Sequence, residues 1–221
     1  MINKSVLEEI EHNLQLHNTK LIAVTKTHPL DVLQEAYNIG LRSFGENKVQ
    51  ELVGKAEVLP KDIEWHLIGH LQSNKVKYIA PFIYMIHSVD SFKLLQEINK
   101  EAKKNNRIIK CLLQIYIANE ETKFGLDETE LINLLTNPEL EQLENIQIDG
   151  LMGMATNTDD QAIIKNEFQS LSDLFKELST TITKKNIEWK EISMGMTSDY
   201  KLAAEQGSTM VRIGSAIFGS R

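Results

Sequence analysis

A lysine that closes an apolar strand, an arginine inside another apolar run, and two turns of glycine and hydroxyl residues are the parts of this chain whose types and spacing could do chemistry. Lys26 ends "LIAVTK", where Leu21, Ile22, Ala23 and Val24 form the branched run of a strand covered on both faces. Alternation places Ile22, Val24 and Lys26 on one face, so the lysine points wherever that face points. In water it would snorkel as an ammonium. Desolvated beside another positive group, it would become a neutral amine able to form an imine. The stretch "SMGMTSDY" sets Gly195, Thr197, Ser198 and Asp199 ahead of a helical segment, and "RIGSA" adds Gly214 and Ser215. Free N–H groups at a helix start, with hydroxyls beside them, suit a phosphate, although Thr197 or Ser198 could equally be a plain helix cap. Arg212 in "TMVRIG" cannot shed its charge and needs an acceptor, either an acidic neighbour or a ligand heteroatom.

Other polar groups weigh less. His66 and His70 have the spacing of a zinc helix, but "WHLIGH" reads as a strand and turn, and no metal site is expected. Lys75, with Gln72 and Asn74, falls at the cap and first turn of a helix, within reach of a site rim. Lys123 reads as a solvated loop lysine, and Cys111 in "KCLLQIYI" as a small buried hydrophobe.

The elements that must position these residues alternate in type. Apolar strand-like runs occur at "LIAVTK", "LRSFGE", "WHLIGH", "YMIHSV", "KCLLQIYI", "IQIDGLMGM", "IEWKEIS" and "TMVRIGSAIFG". Between them lie helical patterns such as "DVLQEAYNIG", begun by Pro29 and stopped at Gly40, and a long one with Ile164, Phe168, Leu171, Phe175 and Leu178 at helical spacing. Ser5 with Glu8, and Thr158 with Gln161, are the expected capping boxes of the first and the long helix. About eight strands alternating with helices predict a closed (β/α)8 TIM-type barrel, one domain over residues 1–221, with an extra N-terminal helix and without the final outer helix. An open doubly wound sheet is the alternative. The loops after strands seven and eight, where such barrels commonly hold a phosphate, are the two hydroxyl-bearing turns.

Composition bounds the partners. With 221 residues, 42% hydrophobic, 25% charged and a formal net charge of −7, the chain is no natural binder of nucleic acid. The single cysteine cannot form an internal disulfide, and no signal-like or membrane-spanning run is present, so a cytoplasmic monomer is expected.

In order, "AVTKTHP", "FGENKVQE", "WHLIGHLQSNK", "TKFGL", "GLMGMA" and "SMGMTSDYKLAAEQGSTMVRIGSAIFG" resemble the pyridoxal phosphate homeostasis protein family, over nearly the whole chain. That family looks like the barrel domain of alanine racemase without its second domain. The resemblance implies that Lys26 carries pyridoxal 5′-phosphate (PLP) as a Schiff base, that Thr197, Gly214 and Ser215 bind the phosphate, that Arg212 faces the pyridine nitrogen, and that Asn47 lies near the ring. It implies a store or carrier of PLP that supplies apo forms of PLP-dependent enzymes and is not itself a robust enzyme. An amino-acid racemase with a base from another chain is the alternative, and a lysine aldolase on the same barrel a further rival. The family usually has serine at Thr197 and often asparagine at Tyr116, which leaves the fifth strand without an assigned polar role.

Overall fold

The computed structural model describes residues 2–118 and 125–219. Eight strands follow in chain order: β1 (Lys20–Val24), β2 (Ser43–Glu46), β3 (Glu64–Leu67), β4 (Met85–Val89), β5 (Ile109–Ile115), β6 (Ile146–Gly153), β7 (Ile187–Ser193) and β8 (Met210–Ile213). Each lies parallel to the next, and β8 returns to β1 in a register that runs from Lys20 opposite Met210 to Ala23 opposite Ile213, closing the barrel. The open sheet is thereby set aside.

The helices are α1 (Lys4–Gln15), α2 (Leu30–Asn38), α3 (Val49–Val58), α4 (Val76–Ile79), α5 (Phe92–Lys104), α6 (Glu128–Thr136), α7 (Gln161–Thr181), α8 (Tyr200–Glu205) and α9 (Ser215–Phe218). Their starts correct three expectations. Asn3, not Ser5, caps α1, accepting from the Val6 N–H. Asp160 caps α7 by accepting from Ala162 and Ile163, while Thr158 accepts from the Asp160 N–H one step outside the helix. In both cases an Asn or Asp carbonyl oxygen reaches the free amides better placed than a hydroxyl two residues away. Pro29 sits at the cap position of α2 rather than inside its first turn.

Inside the barrel, Ile22, Met85, Leu112, Met152 and Met210 pack together, whereas Ala23, Phe44, Leu67, Leu113 and Phe168 belong to the layer between strands and helices. Ile22 inward and Ala23 outward is the alternation expected of a strand buried on both faces. The final outer helix is reduced to the four residues of α9. α1 lies against β1, α8 and α9, burying Leu7, Ile10 and Leu14, and the Asn3 N–H donates to Ile217 O at 2.9 Å. Among the described residues no helix is long and apolar enough to cross a membrane. Cys111 is buried and its thiol is pushed up by that burial, as expected of a packed side chain.

Candidate functional site

At the C-terminal ends of the strands a cleft of about 460 Å³ brings together Lys26, Asn47, Thr197, Arg212, Gly214 and Ser215, with Val24, Ile68, Met154 and Met196 as apolar walls. Residues separated by nearly two hundred positions meet because β1 and β8 are neighbours in the closed sheet. Lys26 stands two residues beyond β1 on the inward-facing side, half-buried. Thr25, pointing the other way, donates its hydroxyl to Glu46 at 2.6 Å. Thr27 takes φ +67°, a left-handed conformation rarely adopted by a β-branched residue.

The turn after β7 is closed by Asp199. Its carboxylate accepts from the Met196 N–H at 2.5 Å, and the N–H groups of Asp199 and Tyr200 return to Met196 O. Burial pushes the Asp199 carboxyl up, against the lowering effects of the Met196 N–H and Arg212. Asp199 thus occupies the cap position of α8 without a side-chain bond into the helix, and neither Thr197 nor Ser198 caps it. Their residues line the cleft instead. Gly195 at φ +93° lets the turn pass Ala203, whose Cβ would stand 2.5 Å from any Cβ added there. The turn after β8 meets it through a hydrogen bond from Ser215 Oγ to Thr197 Oγ1 at 3.2 Å. Gly214 must lack a side chain, since a Cβ would fall 2.8 Å from Val24 O.

Arg212 is buried, and its acceptors are neutral: Ser193 Oγ at 2.6 Å and Gly153 O at 3.1 Å. Burial lowers the guanidinium to about 10, with Asp199 acting in the opposite direction, so it stays charged at neutral pH. Asp199 is the acidic group that acts on it through space, but the guanidinium's hydrogen bonds go to the neutral Ser193 and Gly153 oxygens.

Behind Arg212 runs a chain that sequence reasoning missed. Ser193 Oγ lies 2.9 Å from His87 Nδ1, and His87 Nε2 lies 2.8 Å from His66 Nδ1. Burial, then the charges of Lys20 and Lys110, lowers His66 to about 3; burial, then His66 and Arg212, takes His87 well below its usual value. Both rings are neutral at pH 7, so each supplies one donor and one acceptor to the chain. Among the described residues His66 Nε2 has no partner. The signal available in sequence was the pair of polar residues inside apolar strand runs, His66 in "WHLIGH" and His87 in "YMIHSV". His70 is held elsewhere, with Nδ1 3.2 Å from Asp90.

Two further sequence positions fall outside the cleft. Lys75 ends a short 3-10 turn beside Tyr78. Tyr116 follows β5 and lines a separate groove with Ile115 and Ile117. Lys123 lies outside the described residues.

A closed parallel barrel with a lysine beyond its first strand and hydroxyl-bearing turns after its last two is a racemase-type barrel, and the family model described as "Alanine racemase, N-terminal domain" matches residues 6–221. Within that class the chain belongs to the pyridoxal phosphate homeostasis protein family. It is 41% identical over 203 residues to the Pyridoxal phosphate homeostasis protein of Aquifex aeolicus, covering 91% of this chain and 87% of that one. Among solved structures, PipY of Synechococcus elongatus without PLP has 37% identity and a TM-score of 0.89, covering 97% of this chain and 99% of PipY. PipY with PLP bound has a TM-score of 0.81 at the same identity, covering 91% and 93% of the two chains. Alanine racemase from Bartonella henselae, at 18% identity and a TM-score of 0.70 over 96% of this chain and 58% of that one, shares the fold.

Proposed function

We propose that this chain, acting as a single domain over residues 1–221, binds pyridoxal 5′-phosphate covalently at Lys26 and serves its intracellular homeostasis by storing or delivering it. The observation that carries this reading is the charge of the cleft. Among the described residues lining it, the ionisable side chains are Lys26 and the charged Arg212, with no carboxylate, beside the hydroxyls of Thr197, Ser198 and Ser215. Such a donor set fits a phosphate dianion, and the volume lies within the ~300–1,000 Å³ of small-molecule sites. The cofactor, when bound, supplies an aldehyde that an amine captures reversibly. Lys26 would offer that amine, the turns after β7 and β8 would hold the phosphate, Asn47 would lie near the ring, and Arg212 would face the pyridine nitrogen. The names of the relatives and the PLP-bound PipY structure support the same reading.

A carrier rather than a robust enzyme is favoured by two features. A permanently charged guanidinium opposite the ring nitrogen disfavours its protonation and weakens the electron sink needed at an α-carbon. Stereoinversion also needs a proton-transfer group on each face, and Lys26 is the one suited to that work at neutral pH among the described cleft residues. The recipients are then apo forms of PLP-dependent enzymes, met by a monomer in the cytoplasm, where the lone buried cysteine stays reduced.

The test is spectroscopic. The purified protein should carry an absorbance band near the visible edge that borohydride bleaches, with the label on Lys26 by mass spectrometry. A colourless protein that captures sugar aldehydes would favour a lysine aldolase. In deuterium oxide with L-alanine, α-proton exchange and D-alanine formation at ~1 s⁻¹ or faster would reinstate the racemase.

A further inference from the structure

We propose that Lys55, held between Glu46 and Glu51, is the positioning residue of Lys26, gripping the backbone on both sides of it. The inference rests on the reading of Lys26 as the attachment point.

Lysine is seldom buried unless paired, and Lys55 on α3 is 6% exposed. Its ammonium has three protons, and the structure uses each. Nζ donates to Thr25 O, to Glu46 Oε1 and to Glu51 Oε1, every one at 2.7 Å. Thr25 also donates its hydroxyl to the same Glu46 oxygen, and Glu51 Oε1 accepts the Thr27 N–H. The residue before Lys26 is therefore held through its carbonyl and hydroxyl, and the residue after it through its N–H. All of these contacts converge on one ammonium.

The charges of the cluster agree with a clamp. Burial pushes the Glu46 carboxyl up, while Lys55 and Thr25 draw it back towards ionisation. Burial also raises Glu51, but the bonds from Lys55 and the Thr27 N–H outweigh it, and the net shift is downward. The backbone supplies an independent sign. Thr27 sits at φ +67°, a conformation a β-branched residue keeps only where its surroundings over-determine it, and its N–H is the one the clamp holds. None of Glu46, Glu51 and Lys55 lines the cleft, so their influence reaches a ligand through the aim of Lys26 and not through contact.

That geometry predicts a split between attachment and binding. The phosphate is held by the turns after β7 and β8 and the ring nitrogen is faced by Arg212 of β8, none of which the clamp touches; Asn47, next to Glu46, is the one ring neighbour beside it. Loosening it should therefore slow capture of the aldehyde while leaving recognition of the rest of the molecule intact. A displacement of the order of 1 Å at a reacting atom costs up to ~100-fold in rate.

Lys55→Met alone strands a buried carboxylate and is the variant most exposed to misfolding. The decisive variants are Glu51→Ala, at the half-exposed end of the cluster, and the charge-balanced pair Lys55→Met with Glu46→Gln. For each, two quantities are read: the rate of borohydride-trapped attachment of PLP to Lys26, and the affinity for pyridoxine 5′-phosphate, which has the phosphate and ring but no aldehyde. Attachment should slow by ~10-fold or more in both variants with pyridoxine phosphate affinity unchanged. Attachment at the wild-type rate overturns the inference, and so does a parallel fall in both quantities, the mark of general loosening. Failure of the underlying reading looks different, because the wild-type protein itself would then attach no PLP or attach it at another lysine, and both proposals would fall together.

Discussion

At the residue scale the proposed site separates two tasks, covalent capture and anion binding, and each has its own substitution. Lys26→Ala should abolish the borohydride-sensitive band and leave the unfolding midpoint near that of the wild type, since a half-buried side chain at a barrel mouth is removed without opening the core. A full-intensity band in that variant would move the attachment to another lysine. Thr197→Ala and Ser215→Ala act on the other task. Each removes a hydroxyl from the bonded pair that joins the two turns. Hydrogen bonds to a charged group are worth about 1.5–3 kcal/mol, so PLP should bind ~10- to 100-fold more weakly while pyridoxal, lacking the phosphate, is little affected. Equal losses for the two ligands, measured by equilibrium titration, would sink the assignment. Arg212 belongs to neither group alone, because its guanidinium faces the cleft at one end and a chain of neutral rings at the other.

At the scale of elements, the outer layer depends on a helix from the opposite end of the chain. α9 has four residues, too few to shelter the seam where β8 meets β1, and α1 lies there through Leu7, Ile10 and Leu14. Ile10 is 2% exposed. Its truncation to alanine should cost about 2–5 kcal/mol, read as a lowered urea midpoint with an unchanged slope. Because the same seam carries both Lys26 and Gly214, Ile10→Ala should also shorten the retention of bound PLP under mild denaturant. A cost below about 1 kcal/mol would show that α1 is an appendage and not part of the barrel wall.

At the scale of the whole molecule, the buried histidines tie stability to pH. His66 is held at about 3 in the folded protein and His87 well below 6.5, both chiefly by burial, whereas unfolded histidines titrate near 6.5. The unfolded chain therefore takes up more protons in the interval between those values. Stability that is fully present above pH 6.5 is lost as pH falls through that interval, by about 1.4 kcal/mol per pH unit for each histidine. Denaturant melts between roughly pH 6 and pH 4 should show this slope, and His66→Gln should flatten it by one histidine's share. An unchanged slope in that variant would mean that carboxylates, not the histidine pair, set the acid limit.

Much of this was legible in the sequence because the signals were local. Alternation in "LIAVTK" placed Ile22 and Lys26 on one face, and runs of strand and helix patterns in strict succession pointed to a parallel barrel, whose closure then put the first and last strands side by side. The identities of Lys26, Thr197, Arg212, Gly214 and Ser215 as candidates followed from their types and their positions at strand ends. Cap identities did not, since Asn3 and Ser5, or Asp160 and Thr158, are chemically equivalent choices until the backbone sets which oxygen reaches the free amides. The partners of buried polar groups were equally out of reach. Nothing in the order of residues singles out Lys55, Glu46 and Glu51 as a cluster, and His66 and His87 stand 21 positions apart. Only closure of the barrel decided which of them share a hydrogen bond, because such bonds depend on distances of a few ångströms between strands that the order of residues along a chain leaves open.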